Sequence, residues 1–196
     1  MKIGIIREDK IPVDKRTPLT PKQCLHIKEK FSELTIYVQE SSHRCFTDNE
    51  YLDLNIKVVK NLDHCDIIIG IKEIKINNII HGMSYIFFSH TIKKQEYNKK
   101  LLKSLLSSNN TLYDYEVMKN NGKRLIGFGK YAGILGAYNS LRAYGLKTKK
   151  FNIDKASTFN SKEEIFSILN NIQLSNEKIL ITGVGNVSKG IVEVLQ

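Results

Sequence analysis

Apolar positions along the chain keep two rhythms. Short runs rich in β-branched and aromatic residues recur at 2–7, 35–39, 56–59, 66–71, 85–88 and 111–115, each bounded by polar residues. That length and composition predict strands, and the run at 66–71, apolar after its leading acid, predicts a buried parallel one. Helical patterns lie between them. Thr20 is a good N-cap and Pro21 suits a first helical position, so a helix is predicted over 21–31 with Cys24, Leu25, Ile27 and Phe31 as its buried candidates. Thr47-Asp-Asn-Glu50 is a capping box that opens a short helix. Residues 95–108 place Leu101, Leu102, Leu105 and Leu106 at helical spacing. Strand and helix in alternation predict the α/β class: a Rossmann-like domain with a mostly parallel sheet and helices on both faces.

The later third of the chain is punctuated by glycine. Asn120-Asn121-Gly122 is a hairpin turn, with a strand predicted to resume over 124–128. Ala132, Gly133, Gly136 and Ala137 form one small-residue face at helical spacing. Glycine costs about 1 kcal/mol against alanine inside a helix, so such a face implies close approach of another element. Gly145 is read as that helix's C-cap. Residues 147–160 are polar and read as a connection, and Ser161-Lys-Glu-Glu164 is a second capping box opening a helix to about residue 170. An apolar strand predicted at 178–182 then meets Gly183-Val-Gly185, and Gly190 begins a helix carrying Ile191, Val194 and Leu195. In that context a dinucleotide turn is credible: Gly183 allows the tight turn, Gly185 lets backbone approach a pyrophosphate, and the helix N-terminus offers free N–H groups. The third glycine is two residues further on than in G-x-G-x-x-G. Gly183, Gly185, Asn186, Val187 and Gly190 are the cofactor-binding candidates. The acidic ribose-contacting residue that usually follows by about 20 positions would fall past Gln196. The organisation expected is therefore a substrate-binding and catalytic domain over 1–146, a connection over 147–175, and over 176–196 the truncated start of an NAD(P)-binding Rossmann domain.

Composition changes this picture little. Apolar residues make up 41% of the chain and charged residues 26%, ordinary for a globular protein. The net charge of +10 comes from lysines spread along the whole sequence. With no basic stripe and no nucleic-acid motif, it argues against a nucleic-acid partner. Cys24, Cys45 and Cys65 have no metal-ligand spacing and read as reduced thiols. No apolar run is long enough for a signal peptide or a membrane span, so a cytoplasmic protein is expected, with no metal.

Candidate chemistry sits at strand ends. In α/β proteins ligands bind outside the carboxyl ends of the strands. His90 follows the strand at 85–88, Lys72 ends the strand at 66–71, and Asp114-Tyr-Glu116 ends the strand at 111–115. Each alone can be a polar residue leaving a sheet for water. Three ionisable strand ends together point to a site.

Ile68-Ile-Gly-Ile-Lys-Glu73, Phe87-Phe-Ser-His-Thr-Ile-Lys93, Leu112-Tyr-Asp-Tyr-Glu116 and Gly127-Phe-Gly-Lys-Tyr-Ala-Gly133 occur in an order that resembles the alanine dehydrogenase and transhydrogenase N-terminal domain superfamily. Arg16-Thr-Pro-Leu-Thr-Pro21 is similar to its N-terminal motif. Within it the chain resembles saccharopine dehydrogenase (lysine-forming) and lysine–ketoglutarate reductase, and the turn over 183–190 resembles the latter's. The resemblance covers nearly the whole chain and is weakest over 147–175. It implies reversible joining of the lysine ε-amine to 2-oxoglutarate, with reduction by NADH or NADPH to saccharopine. It implies Lys72 and His90 as the acid–base pair, Glu73 and Glu116 as acids that tune them, and Arg16 and Arg124 as cations near the substrate. Small-molecule substrates, the missing C-terminal part and a homo-oligomer are the partners it brings. An alanine dehydrogenase-like enzyme and a non-catalytic remnant are the competing expectations.

Overall fold

The computed structural model describes residues 1–196, which form two compact units, Met1–Gly127 and Phe128–Gln196. The domain boundary read after residue 146 falls inside a long helix, Gly129–Thr148, that groups with the residues after it.

In the first unit, strands β1 (Lys2–Ile5), β2 (Thr35–Gln39), β3 (Lys57–Val59), β4 (Ile67–Lys72), β5 (Ser84–Phe88) and β6 (Thr111–Asp114) form one sheet. Its order is β3-β2-β1-β4-β5-β6 and every pairing is parallel. This is a doubly wound, Rossmann-like order, and its direction reverses between β1 and β4. Helices α1 (Pro21–Lys30), α2 (Asp48–Leu52) and α3 (Glu96–Ser107) connect the strands. The N-cap read at Thr20 and the capping box read at Thr47 both form, and Gln23 completes a box at Thr20 as well, each threonine oxygen accepting from the backbone three residues on. Along each strand alternate residues face opposite ways. Ile5, Ile36 and Val38 accordingly pack with Cys24 and Tyr51 of α1 and α2. Ile68, Tyr85 and Phe87 pack on the other face with Leu101 and Leu105 of α3. Of the residues expected in the α1 core, Cys24 is buried but Phe31 is exposed, because it lies past the helix end.

Strands β7 (Lys119–Asn120) and β8 (Lys123–Arg124) form the expected hairpin. Asn121 and Gly122 both take positive φ, 48° and 74°, as a two-residue turn of matching twist requires. The strand expected over 124–128 stops at Arg124: Leu125 N–H still donates across the hairpin to Met118 O at 3.0 Å, but no further pair follows.

The second unit holds α4 (Gly129–Thr148), α5 (Lys162–Leu169) and α6 (Asn186–Leu195). A Cβ on Gly133 would lie 2.0 Å from Val187 O, and one on Gly190 would lie 2.0 Å from Lys130 O. The small-residue face thus lets α4 and α6 meet backbone to backbone, as its spacing implied. Gly136 is not part of that contact, since a Cβ there meets nothing within 4 Å. Gly145 is not the C-cap. It is buried inside α4, where Phe151 packs so closely that a Cβ would be 2.5 Å from its ring, and Lys149 closes the helix at φ 60°. Ser161 caps α5 by accepting from Glu164 N–H, while the Glu164 carboxylate accepts from Asn160 N–H instead of closing the box on Ser161. The strand expected at 178–182 does not form: these residues join no ladder, and Leu180 is 88% exposed. An apolar run becomes a strand only when another strand supplies hydrogen-bond partners.

Candidate active site

The carboxyl edge of the six-stranded sheet collects the ionisable strand ends. Phe88 of β5 pairs with Lys72 of β4, so Lys72 and His90 leave neighbouring strands two residues apart in register. Glu8, just past β1, and Lys72 straddle the point where the strand order reverses, which is where ligands bind in open α/β sheets.

Around Lys72, the Glu8 carboxylate accepts from Ile71 N–H at 2.6 Å and from Lys72 N–H at 2.9 Å. Glu8 is only 5% exposed. Burial pushes its carboxyl up from the ordinary value, and the two backbone donors pull it partly back. Arg16 grips Asp14 with both arms of its fork, Nε to Oδ1 at 2.9 Å and Nη2 to Oδ2 at 2.5 Å. That pairing holds the Asp14 carboxyl below its ordinary value, and the Lys72 ammonium adds to the effect through space. Glu73 turns to Lys10, which donates to its Oε1, while its buried Oε2 has no hydrogen-bond partner.

Around His90, the backbone is left-handed, at φ 56° and ψ 9°. Such a conformation costs on the order of 1–3 kcal/mol and persists only where the surroundings impose it. Here Ser89, fully buried, is pinned by Asp114. Its Oγ is 2.5 Å from Oδ2 and its N–H donates to Oδ1 at 3.4 Å, while Oγ also accepts from Thr91 N–H at 3.1 Å. The same Asp114 Oδ1 accepts from Glu116 N–H at 2.9 Å. One buried carboxylate therefore fixes the backbone beneath both His90 and Glu116.

Above it, Glu116 is a hub. Lys93 Nζ and Arg124 Nη2 lie 3.0 and 3.3 Å from Oε1, and His90 Nδ1 lies 3.0 Å from Oε2. Burial would raise the Glu116 carboxyl, but Lys93 and His90 outweigh it and hold the group below its ordinary value. His90 Nδ1 is also 2.9 Å from Lys93 Nζ. An ammonium only donates, so an unprotonated Nδ1 accepts from Lys93 and leaves Oε2 without a hydrogen bond. A protonated Nδ1 pairs with Oε2 instead. The ring thus has a partner for Nδ1 in either protonation state, an arrangement suited to a group that gains and loses a proton.

His90, Glu116 and Arg124 come together as a set, and Lys72 and Arg16 share the Glu8–Asp14 group. Glu8, Asp14, Ser89 and Lys93 were not singled out from the sequence. Lys93 stands three residues after His90, one turn on, and Asp114 had been read only as one of several acids at a strand end. Glu8 gave no signal beyond being the first acid after a strand.

In the second unit, Gly183 takes φ 81° and Ser188 Oγ donates back to Thr182 O at 3.1 Å. Lys189 N–H donates to Gly185 O at 3.1 Å as the first turn of α6 closes. The N–H groups of Asn186, Val187 and Ser188 precede that bond, no side chain caps the helix, and the space beside Gly185 is open. These features fit a phosphate of a dinucleotide. Gly190 instead serves the α4 contact. No group of three or more His, Cys, Asp or Glu side chains is arranged to hold a metal ion. No helix is long and apolar enough to cross a membrane.

Residues 4–135 match the family described as alanine dehydrogenase/PNT, N-terminal domain. Alpha-aminoadipic semialdehyde synthase of Arabidopsis thaliana is 33% identical, over 99% of this chain and 20% of that protein. The mitochondrial enzyme of the same name from Mus musculus is 32% identical, over 98% of this chain and 23% of its own length. Saccharopine dehydrogenase [NAD(+), L-lysine-forming] of Candida glabrata is 30% identical, over 94% of this chain and 48% of that protein. The chain therefore spans about a fifth to a half of the length of these relatives. An L-alanine dehydrogenase structure shares the fold with a TM-score of 0.60 at 17% identity, covering 76% of this chain and 42% of that one. The transhydrogenase of Sinorhizobium meliloti does so with a TM-score of 0.58 at 15% identity, covering 74% and 44%.

Proposed function

The chain belongs to the alanine dehydrogenase/PNT N-terminal domain family, and from that premise we propose that it carries the substrate-handling part of a saccharopine-forming oxidoreductase. The reaction joins L-lysine and 2-oxoglutarate with NADH or NADPH to give saccharopine, oxidised cofactor and water, and runs in both directions. The observation that carries this reading is the meeting of His90, Glu116, Lys93 and Arg124 beside the Lys72 strand end, at the carboxyl edge of a parallel sheet.

In this reading the lysine ε-amine attacks the keto carbon of 2-oxoglutarate. A proton must leave the nitrogen and another must reach the oxygen before water departs. Lys72 and His90 exchange these protons, with Glu116 stabilising the protonated imidazole at Nδ1. Arg16 and Arg124 orient carboxylates, for which a guanidinium fork has matching geometry. The relatives named saccharopine dehydrogenase [NAD(+), L-lysine-forming] support a nicotinamide, which supplies the hydride that reduces the imine. The Gly183–Gly185 turn and the N-terminus of α6, at Asn186 and Val187, would hold its phosphates. The test is nicotinamide absorbance with saccharopine and NAD+ or NADP+, against alanine as the rival substrate. Measurements use this chain alone and joined to the remaining part of a saccharopine dehydrogenase relative. Reduction that depends on saccharopine is expected; reduction with alanine and none with saccharopine overturns the assignment.

A further inference from the structure

We propose that Glu8 is a positioning residue for Lys72, its buried carboxylate standing in for the strand that β4 lacks at its end. The proposal rests on the reading of Lys72 as a proton-handling group.

The ladder between β1 and β4 ends at Ile69, which pairs with Ile5 and accepts from Ile6 N–H at 3.0 Å. On the other side, the register with β5 slips between Ile69 and Lys72: Ile69 faces Ile86 and Lys72 faces Phe88, so β4 carries one extra residue. At this bulge the Ile71 and Lys72 N–H groups lie beyond the last β1 pair, and both donate to Glu8. A bulge redirects the side chain that follows it, and bulges favour active sites. Gly70 makes room chiefly for Ile6, beside the carboxylate. A Cβ there would stand 3.4 Å from Glu8 Oε1 and 2.8 Å from Ile6 Cγ2.

A neutral amide such as glutamine would avoid the desolvation penalty of a buried charge but would turn a donor NH2 toward one of the two amides. A carboxylate does more. It offers two acceptors to consecutive amides, so it fixes both peptide planes from which the Lys72 side chain departs. It also leaves a negative charge in the group that contains Asp14 and Arg16, both of which act on Glu8 through space. A displacement of about 1 Å at a reacting group can lower a rate about a hundredfold.

The experiment compares the wild-type chain with Glu8→Gln and Glu8→Asp. Gln presents one of the two amides with a donor, and Asp is one methylene short of both. Amide hydrogen exchange at Ile71 and Lys72 should accelerate at least tenfold in Glu8→Gln and by less in Glu8→Asp, with Ile36 and Val38 unchanged. Acetylation of the Lys72 amine, followed by peptide mass spectrometry across pH, should change at least threefold in rate relative to Lys99, and its pH profile should shift. Where saccharopine is turned over, kcat should fall tenfold or more with KM within about threefold. Faster exchange with an unchanged Lys72 acetylation profile would make Glu8 a structural brace only and overturn the proposal. So would unchanged exchange in either folded variant. A wild type that acetylates as expected but turns over no saccharopine would count against the reaction, leaving exchange and acetylation to decide the role of Glu8.

Discussion

Glu8 and Asp114 are buried carboxylates that hold backbone N–H groups at the end of a sheet. Gly133 and Gly190 hold two helices together by having no side chain at all. The first unit is shaped at its working edge by charge kept out of water, which is costly and needs specific partners. The second is shaped by volume left empty for a neighbouring backbone, which needs nothing except that no atom be added. Substitutions that alter charge should therefore be felt as chemistry in residues 1–127. Substitutions that alter volume should be felt as stability in residues 128–196.

The largest effect is expected at His90. His90→Gln keeps a polar side chain but removes the ionisable ring, and should lower kcat roughly a hundredfold or more, the usual range for a lost acid–base group. Thermal stability should change little, as read by a melt in parallel; a large loss of stability with kcat intact would erase the contrast between the two units. Next is Gly133→Ala. A methyl group forced to 2.0 Å from Val187 O must push α6 away. Overpacking of this kind costs about 1–3 kcal/mol, and the helix propensity gained returns only about 1. A net loss of about 1 kcal/mol, and at most about 2, is expected in denaturant unfolding. Gly136→Ala, three residues on, should do the opposite and stabilise by about 1 kcal/mol, because its site is open.

The contrast can be sharpened within the first unit by pH. Glu116 has a folded value below the ordinary 4.5, so its contribution to stability is complete above that value and is lost as pH falls beneath it. Glu8 has a folded value above 4.5, so its contribution is complete below that value and is lost as pH rises through the raised one. In unfolding free energy measured against pH, Glu116→Gln should flatten the acid limb and Glu8→Gln the limb above 4.5. The same change in both variants would mean that the two carboxylates are not in distinct environments.

The sequence carried the sheet and its helices well, because period and capping are local signals. Six predicted strands pair in the first unit, and the caps at Thr20 and Thr47 form as read. It carried less where the outcome depends on a distant partner. The run at 178–182 has a strand's composition but no ladder. Gly145 reads as a helix end because glycine favours the position that closes a helix, whereas Phe151, folded back from beyond the helix, is what requires it. The site divides the same way. His90, Lys72 and Glu116 were legible as strand-end ionisable groups. Glu8 was not, and Asp114 was legible as an acid but not as a brace, because their worth lies in N–H groups 63, 64 and 25 positions away, and in one only two away that looks like any polar neighbour.

The central claim is that the Lys72–His90 strand ends run proton transfer in saccharopine chemistry. It is tested most directly by the rate of nicotinamide reduction with saccharopine, wild type against His90→Gln, in this chain joined to the remaining part of a saccharopine dehydrogenase relative. The account predicts saccharopine-dependent reduction that falls roughly a hundredfold in the variant, with KM little changed. Equal rates in the two proteins would contradict it.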